Sequence, residues 1–193
     1  KNMKIAVIGS INVDMVISAE RIPLKGETVY GKNISYNPGG KGANQAVAMA
    51  RLGVQVDMFG CVGNDENGQK MLENLQKNNV GIENVKVLDG VSTGLALITV
   101  DEQDNTIVIV GGANKKVSKS YVDNIKTVLN SYDMVVLQHE IPLETVHYVI
   151  DFCYQNKVPV ILNPAPAAKV PLDIVDKVTF LTPNEHEIGR AHV

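Results

Sequence analysis

The residues best suited to chemistry lie in a glycine-rich stretch, residues 37–53. Three glycines surround one lysine there: Gly39, Gly40, Lys41 and Gly42. A helix is predicted to follow at once, because alanine or valine recurs at 43, 46, 47 and 50, the spacing of one helical face, and a glycine at 53 suits its left-handed cap. The glycines are expected to leave backbone N–H groups bare at the helix N-terminus, where a polar or anionic small molecule can bind. Asn44, one turn along, adds an amide that both donates and accepts.

This stretch does not match the two usual phosphate-binding fingerprints. A P-loop needs Ser or Thr after Gly-Lys, and Gly42 stands there. A dinucleotide-binding turn needs a third glycine where Gln45 stands, and a hydrophobic strand where Tyr-Asn-Pro occupies 36–38. The remaining alternative to a ligand site is a tight turn with a structural lysine.

Two further polar residues follow the first predicted strand. Residues 4–9 form a continuous apolar run, typical of a strand buried on both faces of a parallel sheet, and Asn12 and Asp14 come shortly after it. Ligands of open α/β sheets gather beyond the carboxyl ends of strands, and alternation places both side chains on one side of an extended segment. An Asn and an Asp together can bind two hydroxyl groups of a sugar. The alternative is an Asx-turn that closes the strand.

Two later strand ends carry polar groups of the same kind. Glu140 follows the apolar run of residues 133–138, where it is either a ligand contact or a solvated loop acid. Asn184 and Glu187 lie three residues apart at a predicted helix start and so share one face. An amide and a carboxylate there suit a hydrated Mg²⁺ that carries nucleotide phosphates, or else an N-cap Asn followed by a first-turn acid.

The elements that must position these residues alternate between strand and helix. This pattern indicates an α/β fold with a doubly wound, mostly parallel sheet flanked by helices. Its strands are expected near residues 4–9, 55–61, 133–138, 158–162 and 178–181. Asp65 is the expected N-cap of the second helix, and Gly81 is expected to end that helix.

Four polar–apolar segments do not fit the alternation. They lie within about residues 13–36 and 93–112, and the second pair is typical of a β-hairpin. We interpret them as a small four-stranded β lid over the candidate site, in which Ala96 and Ile98 would form an apolar wall. The alternative is an ordinary meander within one core. Because so small a sheet has one apolar face and no helix to cover it, the lid interpretation favours dimerisation.

Composition narrows the classes of function. The 193 residues are 45% hydrophobic and carry a formal net charge of −3, which suffices for one core and gives no electrostatic footprint for nucleic acid or an anionic membrane. No apolar run reaches the length of a transmembrane helix. Cys61 and Cys153 have neither metal-ligand nor redox-motif spacing. We therefore predict a cytoplasmic protein with two buried thiols and no nucleic-acid or membrane partner.

The glycine–lysine stretch at 37–53, with Asn-x-Asp at 12–14 and Asn-x-x-Glu at 184–187, resembles the signature of the ribokinase-like sugar and nucleoside kinases. The resemblance covers residues 3 to about 187. It implies an ATP-dependent kinase that phosphorylates a primary hydroxyl of a pentose, such as O5 of D-ribose, and a homodimer formed through the lid. It also implies that Asn184 binds nucleotide phosphate and Glu187 holds Mg²⁺ through water. The sugar ligands it implies are Asn12, Asp14, Gly39, Gly40, Lys41, Gly42, Asn44 and Glu140.

The chain departs from the family pattern towards its end. The family carries a Gly-Ala-Gly-Asp motif whose backbone amides hold the phosphoryl oxygens and whose Asp is the catalytic base. These 193 residues contain no such motif, and the nearest, Gly-Gly-Ala-Asn at 111–114, lacks the acid. The adenine pocket and the family's monovalent-cation (K⁺) site would also lie outside the chain. We therefore expect residues 1–187 to be the N-terminal part of one kinase domain, 188–193 to be a non-native tail, and the chain alone to be close to inactive.

Other functions stay open. A fructokinase, a nucleoside kinase or a ketodeoxygluconate kinase shares the glycine–lysine stretch, although Asn-Pro-Ala-Pro-Ala at 163–167 favours a ribose kinase. Outside the enzymes, the alternative is a non-catalytic sugar-binding module that has lost its kinase half.

Overall fold

The structure is a computed structural model that describes residues 3–184. Within that range the chain forms ten strands, five α-helices and one 3-10 helix. In chain order they are β1 Lys4–Ile8, β2 Asn12–Ala19, β3 Gly31–Gly39, α1 Lys41–Arg51, β4 Gln55–Gly63, α2 Glu66–Lys77, β5 Val80–Leu88, β6 Gly94–Val100, β7 Asn105–Val110, the 3-10 helix Gly112–Lys116, α3 Lys119–Leu129, β8 Met134–Gln138, α4 Leu143–Gln155, β9 Val160–Asn163, α5 Leu172–Val175 and β10 Phe180–Leu181.

Six strands form a parallel sheet in the order β10-β9-β8-β1-β4-β5, which confirms the predicted doubly wound α/β fold. Alternation along the central strand β1 explains why helices cover both faces. Ile5 and Val7 pack with residues of α1 and α2, whereas Ala6 and Ile8 point the other way and pack with residues of α3 and α4. The expectation that β1 is buried on both faces is therefore confirmed.

The prediction is wrong at the end of the second helix. Helix α2 ends at Lys77, and Asn79 takes a positive φ of 60° that turns the chain. Gly81 does not stop the helix but lies inside β5, a strand that the sequence prediction misses. Its mixed exposure explains the miss, because β5 lies at the edge of the sheet and lacks the continuous apolar run of a central strand.

The four remaining strands form the predicted small sheet, which we call the lid, in the order β3-β2-β6-β7. Its central pair is parallel, and the β6–β7 hairpin is as predicted. The lid strands span 12–39 and 94–110, whereas the sequence placed them within about 13–36 and 93–112. Because β2 begins at Asn12, this residue and Asp14 lie in a central lid strand rather than in a loop. Pro38 fits in β3 because that strand is an edge.

The two hairpins of the lid are joined at their outer tips. The side chain of Asp101, in the β6–β7 turn, accepts hydrogen bonds from the backbone N–H groups of Gln103 and Asp104, each at 2.8 Å. It also accepts one from the N–H of Ile22, in the β2–β3 connection, at 3.2 Å. The edge strand β7 is open to solvent, since every one of its residues is exposed.

Cys61 and Cys153 are both buried and unpaired, as predicted. Burial raises the pKa of the Cys61 thiol to about 11 and that of Cys153 to about 12, so both stay protonated at neutral pH. Among residues 3–184, every helix is too short or too polar to cross a membrane. The cytoplasmic location stays a prediction.

Candidate functional site

The candidate site lies where the lid joins the carboxyl edge of the main sheet. Only Gly9, Ser10 and Ile11 separate β1 from β2, so Asn12 and Asp14 stand directly above that edge. In the lid ladder Asn12 lies opposite Gly39 and Gly94, and Asp14 lies opposite Asn37 and Ala96. Cross-strand partners project to the same face, so Asp14 and the buried Ala96 share one side of the lid.

Glu140 reaches this place from the end of β8. Its Oε2 accepts hydrogen bonds from the Ser10 hydroxyl at 2.5 Å and from the backbone N–H of Lys41, the first residue of α1, at 2.8 Å. The carboxylate therefore occupies the N-terminus of α1, where the helix dipole favours negative charge. Ser10 was missed by the sequence prediction, since only the tertiary fold brings it to Glu140.

The expectation of bare N–H groups at this helix start is wrong. Lys41 donates to Glu140, Gly42 donates to Ser10 Oγ at 3.2 Å, and Ala43 donates to the Ser10 carbonyl at 2.9 Å. The N–H of Asn44 is used within the helix, by the carbonyl of Gly40. Protein groups therefore fill the anion position that the sequence assigned to a ligand, because Glu140 and Ser10 arrive from distant parts of the chain.

The glycines of the stretch allow backbone to approach backbone. Gly40 has a positive φ of 90°, a conformation that favours glycine, and it turns the chain from β3 into α1. A Cβ at Gly42 would lie 2.7 Å from the backbone nitrogen of Ser10, so any side chain there would push α1 away from the β1–β2 loop. The glycines therefore let α1 approach the β1–β2 loop of the protein itself.

Asp14 is the least satisfied acid of this cluster. It is partly buried, and within residues 3–184 no hydrogen bond reaches its carboxylate. Burial, and second the charge of Glu140, raise the pKa of Asp14 above its ordinary value of 3.8. A partly buried carboxylate without a hydrogen-bond donor, next to a second carboxylate, favours a ligand that brings hydroxyl hydrogens or a cation.

Other predicted residues lie apart from this cluster. Asn44 is exposed and lines an open groove of α1 with Pro38, Val47 and Arg51. Asn184 is exposed beyond β10, three strands from β1, or about 14 Å at the usual strand spacing. Glu187 and the proposed tail 188–193 lie outside the described residues. Within residues 3–184 no three His, Cys, Asp or Glu side chains are grouped to hold a metal ion.

The structure thus brings together Asn12, Asp14, Ala96, Glu140 and the 39–42 turn. Its chemistry is that of a polyol site: two carboxylates accept, the amide of Asn12 supplies a hydrogen-bonding group, and Ala96 supplies an apolar surface. A side chain not foreseen from the sequence, Asn114, hydrogen-bonds Asn12 from the 3-10 helix.

Comparison with known proteins relates the whole chain to sugar kinases. A sequence profile described as pfkB family carbohydrate kinase matches residues 2–191. The ribokinase of Bacillus subtilis is 46% identical over 183 residues, which cover 95% of this chain and 62% of that protein. The ribokinase of Lactococcus lactis is 46% identical over 185 residues, which cover 95% of this chain and 61% of that protein.

A solved structure agrees at the level of the fold. The structure of Arabidopsis thaliana ribokinase complexed with ribose and ATP matches with a TM-score of 0.86 at 32% identity, covering 98% of this chain and 62% of that one. The chain therefore spans about three fifths of the length of each of these proteins.

Proposed function

Because the chain belongs to the pfkB family of carbohydrate kinases, we propose that it is the sugar-binding part of an ATP-dependent ribokinase, which phosphorylates O5 of D-ribose. The observation that carries this proposal is the convergence of Asn12, Asp14 and Glu140 beside the N-terminus of α1 and beneath the lid. The two ribokinases at 46% identity support ribose over other sugars.

In this proposal some side chains accept hydrogen bonds from the sugar hydroxyls and others donate to them. Asp14 accepts, as does Oε1 of Glu140, the oxygen that no hydrogen bond within residues 3–184 uses. The amide of Asn12 and the ammonium of Lys41 donate. The turn at 39–42 forms the wall beside them, and Asn44 joins by turning from its groove towards the sugar.

The lid supplies the apolar side of the site and the route to a homodimer. Ala96 lies next to Asp14 on the same face and would contact the carbon skeleton of the sugar. Closure of the lid would exclude water during phosphoryl transfer. Both faces of β7 carry exposed apolar side chains, such as Ile107 and Val108, and a second copy of the lid would cover them.

We assign the nucleotide to the edge of the sheet at β10. Asn184 is exposed beyond the end of this strand, and its amide oxygen fits a Mg²⁺ ion that keeps most of its water ligands. In this assignment Asn184 contacts the nucleotide phosphates and Glu187 holds the ion through water. Bound Mg²⁺ neutralises charge on the transferred phosphoryl group. The K⁺ expected in the complete enzyme is assigned to none of the described residues.

The 193-residue chain by itself should turn over slowly. It has no Gly-Ala-Gly-Asp motif, and therefore neither the family's catalytic base nor its backbone anion hole. Loss of a general base lowers rates by roughly 10²–10⁴-fold, and loss of an anion-hole donor lowers them by roughly another 10²–10³-fold. Turnover at about 1–100 s⁻¹, the usual range of kinases, would overturn this expectation.

Titration calorimetry with D-ribose tests sugar binding directly. The chain should bind ribose, and Asp14→Ala should weaken binding by about tenfold or more, because a hydrogen bond to a charged group is lost. Asp104→Ala, which removes a carboxylate from the lid tip, is the matched control and should bind as the unsubstituted chain does. No ribose binding by the unsubstituted chain, or equal binding by Asp14→Ala, would contradict the proposal.

Substrate choice is tested with the complete gene product. Phosphorylation of D-ribose, adenosine and D-fructose from labelled ATP should favour ribose. Preference for adenosine or fructose would replace ribokinase by another kinase of the same family. Ribose binding without turnover in the complete product would favour the non-catalytic sugar-binding module.

A further inference from the structure

The Gly-Gly-Ala-Asn sequence at 111–114 has no part in the proposed function so far, yet its last residue is buried against the site. Asn114 is 2% exposed and lies in the 3-10 helix that follows the lid. Its Oδ1 accepts from the backbone N–H of Ile11 at 2.9 Å. Its Nδ2 donates to Asn12 Oδ1 at 2.6 Å and to the Ile11 carbonyl at 3.3 Å.

These contacts fix the orientation of two amides. A backbone N–H can only donate, so the Asn114 atom that faces Ile11 must be the oxygen. The other terminal atom of Asn114 is then the NH₂ group, and the Asn12 atom that it contacts must be an acceptor. Flipping either amide would place two donors or two acceptors against each other, so the network alone determines the assignment.

The amide orientation leaves the NH₂ group of Asn12 as a hydrogen-bond donor at the site. With Oδ1 of Asn12 held by Asn114, its NH₂ group is the end that remains, and no hydrogen bond within residues 3–184 uses it. Asn12 as a whole is only 4% exposed, yet its NH₂ group is not among the fully buried side-chain atoms that lack a partner, so it keeps access to the site. Asp14, two residues along the same strand, points to the same face and offers only acceptors.

The surrounding backbone is shaped around this amide pair. A Cβ at Gly94, the first residue of β6, would overlap both Asn12 Oδ1 and Asn114 Nδ2. Gly112 has a positive φ of 52° and lies against the carbonyl of Ser92, to which Ala113 donates at 2.8 Å. The entry of β2, the entry of β6 and the exit of β7 therefore meet at Asn114.

We infer that Asn114 is a positioning residue for sugar recognition: it holds the Asn12 amide so that NH₂, and not the carbonyl, faces the sugar beside the Asp14 carboxylate. This inference rests on the proposed function. A sugar hydroxyl can then accept from Asn12 and donate to Asp14 at once. A ligand that lacks this hydroxyl leaves both groups unpaired, which disfavours it.

The first test reverses the polarity of the contact. In Asn114→Asp, one carboxylate oxygen still accepts from Ile11, but the other repels Asn12 Oδ1, so the Asn12 amide should flip and present its carbonyl. D-ribose affinity by calorimetry should fall by about tenfold, as expected for one lost hydrogen bond with an acceptor in its place. Asn124→Asp on the exposed side of α3 carries the same charge change and should bind normally. Equal affinity of Asn114→Asp and the unsubstituted chain would overturn the inference.

A second variant guards against a folding defect in Asn114→Asp. Asn12→Asp keeps an acceptor for Asn114 and changes only the atom that faces the site from donor to acceptor. It should fold normally, as checked by urea unfolding, and lose ribose affinity by a similar factor. In an Asn12→Ala background, Asn114→Asp should cause no further loss, because it acts through Asn12. Additive losses would indicate a merely structural role.

A measurement without ligand separates this inference from the proposed function. In ¹⁵N spectra of the full chain in D₂O, the side-chain NH₂ of Asn114 should exchange slowly and that of Asn12 faster. The reverse order would overturn the inference even if ribose binds. If the unsubstituted chain binds no ribose, the proposed function fails, while the exchange rates still decide the orientation of the two amides.

Discussion

At the scale of single residues, Asp14 lowers the stability of the folded chain, a cost that the proposed sugar binding would explain. Its pKa lies above 3.8, because burial and then the charge of Glu140 disfavour the carboxylate. Between its unfolded and folded pKa values the folded chain binds more protons than the unfolded chain, so the free energy of unfolding falls as pH rises through that window. The full decrease in the free energy of unfolding is therefore present at neutral pH. An acid kept in such a place is typical of a functional site.

Asp14→Asn removes this penalty. The variant should have a higher urea midpoint than the unsubstituted chain at pH 7, and a lower ribose affinity. The stability gain should shrink at pH 3, below the unfolded pKa of 3.8, where Asp14 is neutral in both states. Urea unfolding at the two pH values measures this. A lower midpoint of Asp14→Asn at pH 7 would mean that Asp14 has a stabilising partner.

Glu140→Gln separates the two causes of the raised pKa. Removing the charge should lower the pKa of Asp14, but not to 3.8, because burial is the larger cause. The N-terminus of α1 also loses a negative charge, which should reduce stability by roughly 0.3–2 kcal/mol. A ¹³C carboxyl titration and urea unfolding measure the two effects. Glu144→Gln, an exposed acid in the first turn of α4, is the control and should leave the pKa of Asp14 unchanged.

The sequence predicts some of these residues and misses others for a physical reason. Asn12 and Glu140 follow buried strands, and strand ends meet at one edge, so their position could be foreseen. Ser10 and Asn114 contact partners 130 and 102 residues away, and no local pattern marks such contacts. The prediction of bare N–H groups at α1 failed for the same reason.

At the scale of elements, Asp65 links helix α2, the residue that precedes β6 and the end of β4 through hydrogen bonds. Its carboxylate accepts from the N–H of Gly68 at 2.7 Å, which caps α2, and from the N–H and hydroxyl of Thr93 at 2.8 and 2.6 Å. The Thr93 hydroxyl in turn accepts from Gly63 at the end of β4. Burial alone would raise the pKa of Asp65, but these hydrogen bonds outweigh it and the pKa is lowered. Its stabilising effect is therefore present above pH 3.8 and is lost as pH falls through the folded pKa.

Asp65→Ala should lower the free energy of unfolding more than Ser118→Ala. Both residues cap helices, α2 and α3, and losing a cap costs about 0.5–2 kcal/mol. The Asp65→Ala substitution also leaves two donors of Thr93 unpaired, which lowers the free energy of unfolding by about a further 1–3 kcal/mol. Urea unfolding at pH 7 compares the two variants. Equal losses would show that the Thr93 contacts contribute nothing to stability.

Element boundaries were predicted best where the core dictates them. The central strands β1 and β8 show continuous apolar runs, because both of their faces are buried. The edge strand β5 shows no such run, and a glycine inside it was taken for a helix stop. In the lid, β2 begins at Asn12, one residue before the predicted bound, because Asn12 pairs in the lid ladder while the next residue, Val13, packs in the core.

At the scale of the whole molecule, the lid leaves apolar surface exposed on both faces. Ile107 shares a face with Ala96 and Ile98, whereas Val108 lies on the opposite face. Both are more than half exposed, at 53% and 61%. In the proposed homodimer a second lid covers this surface, which a single copy cannot do.

The double variant Ile107→Asp/Val108→Asp should weaken self-association at least about tenfold, because it places a carboxylate in the apolar contact on each face. Sedimentation velocity over a range of concentrations measures the change. Val128→Asp on α3, another exposed valine, should associate as the unsubstituted chain does. A monomeric unsubstituted chain, or a double variant that still dimerises normally, would contradict dimerisation through the lid.

The overall architecture follows from the sequence more fully than the site does. Alternating strands and helices leave few topologies, since crossovers are right-handed and short. The lid is recognisable in the sequence because the two strands of each pair, β2–β3 and β6–β7, are joined without a helix. The order of the strands, and the contact of the lid with Asn114, depend on packing between distant segments that periodicity does not encode.

The hydrogen bond from Ile22 to Asp101 joins two hairpins that are far apart in sequence. Their inner ends also meet, at Asn12, Gly94 and Asn114. Because the two hairpins are joined at both ends, the proposed closure over the sugar would move them as one unit. In that case a fluorophore attached at Gln103, at the solvent-exposed tip, would report sugar binding by a change in its emission.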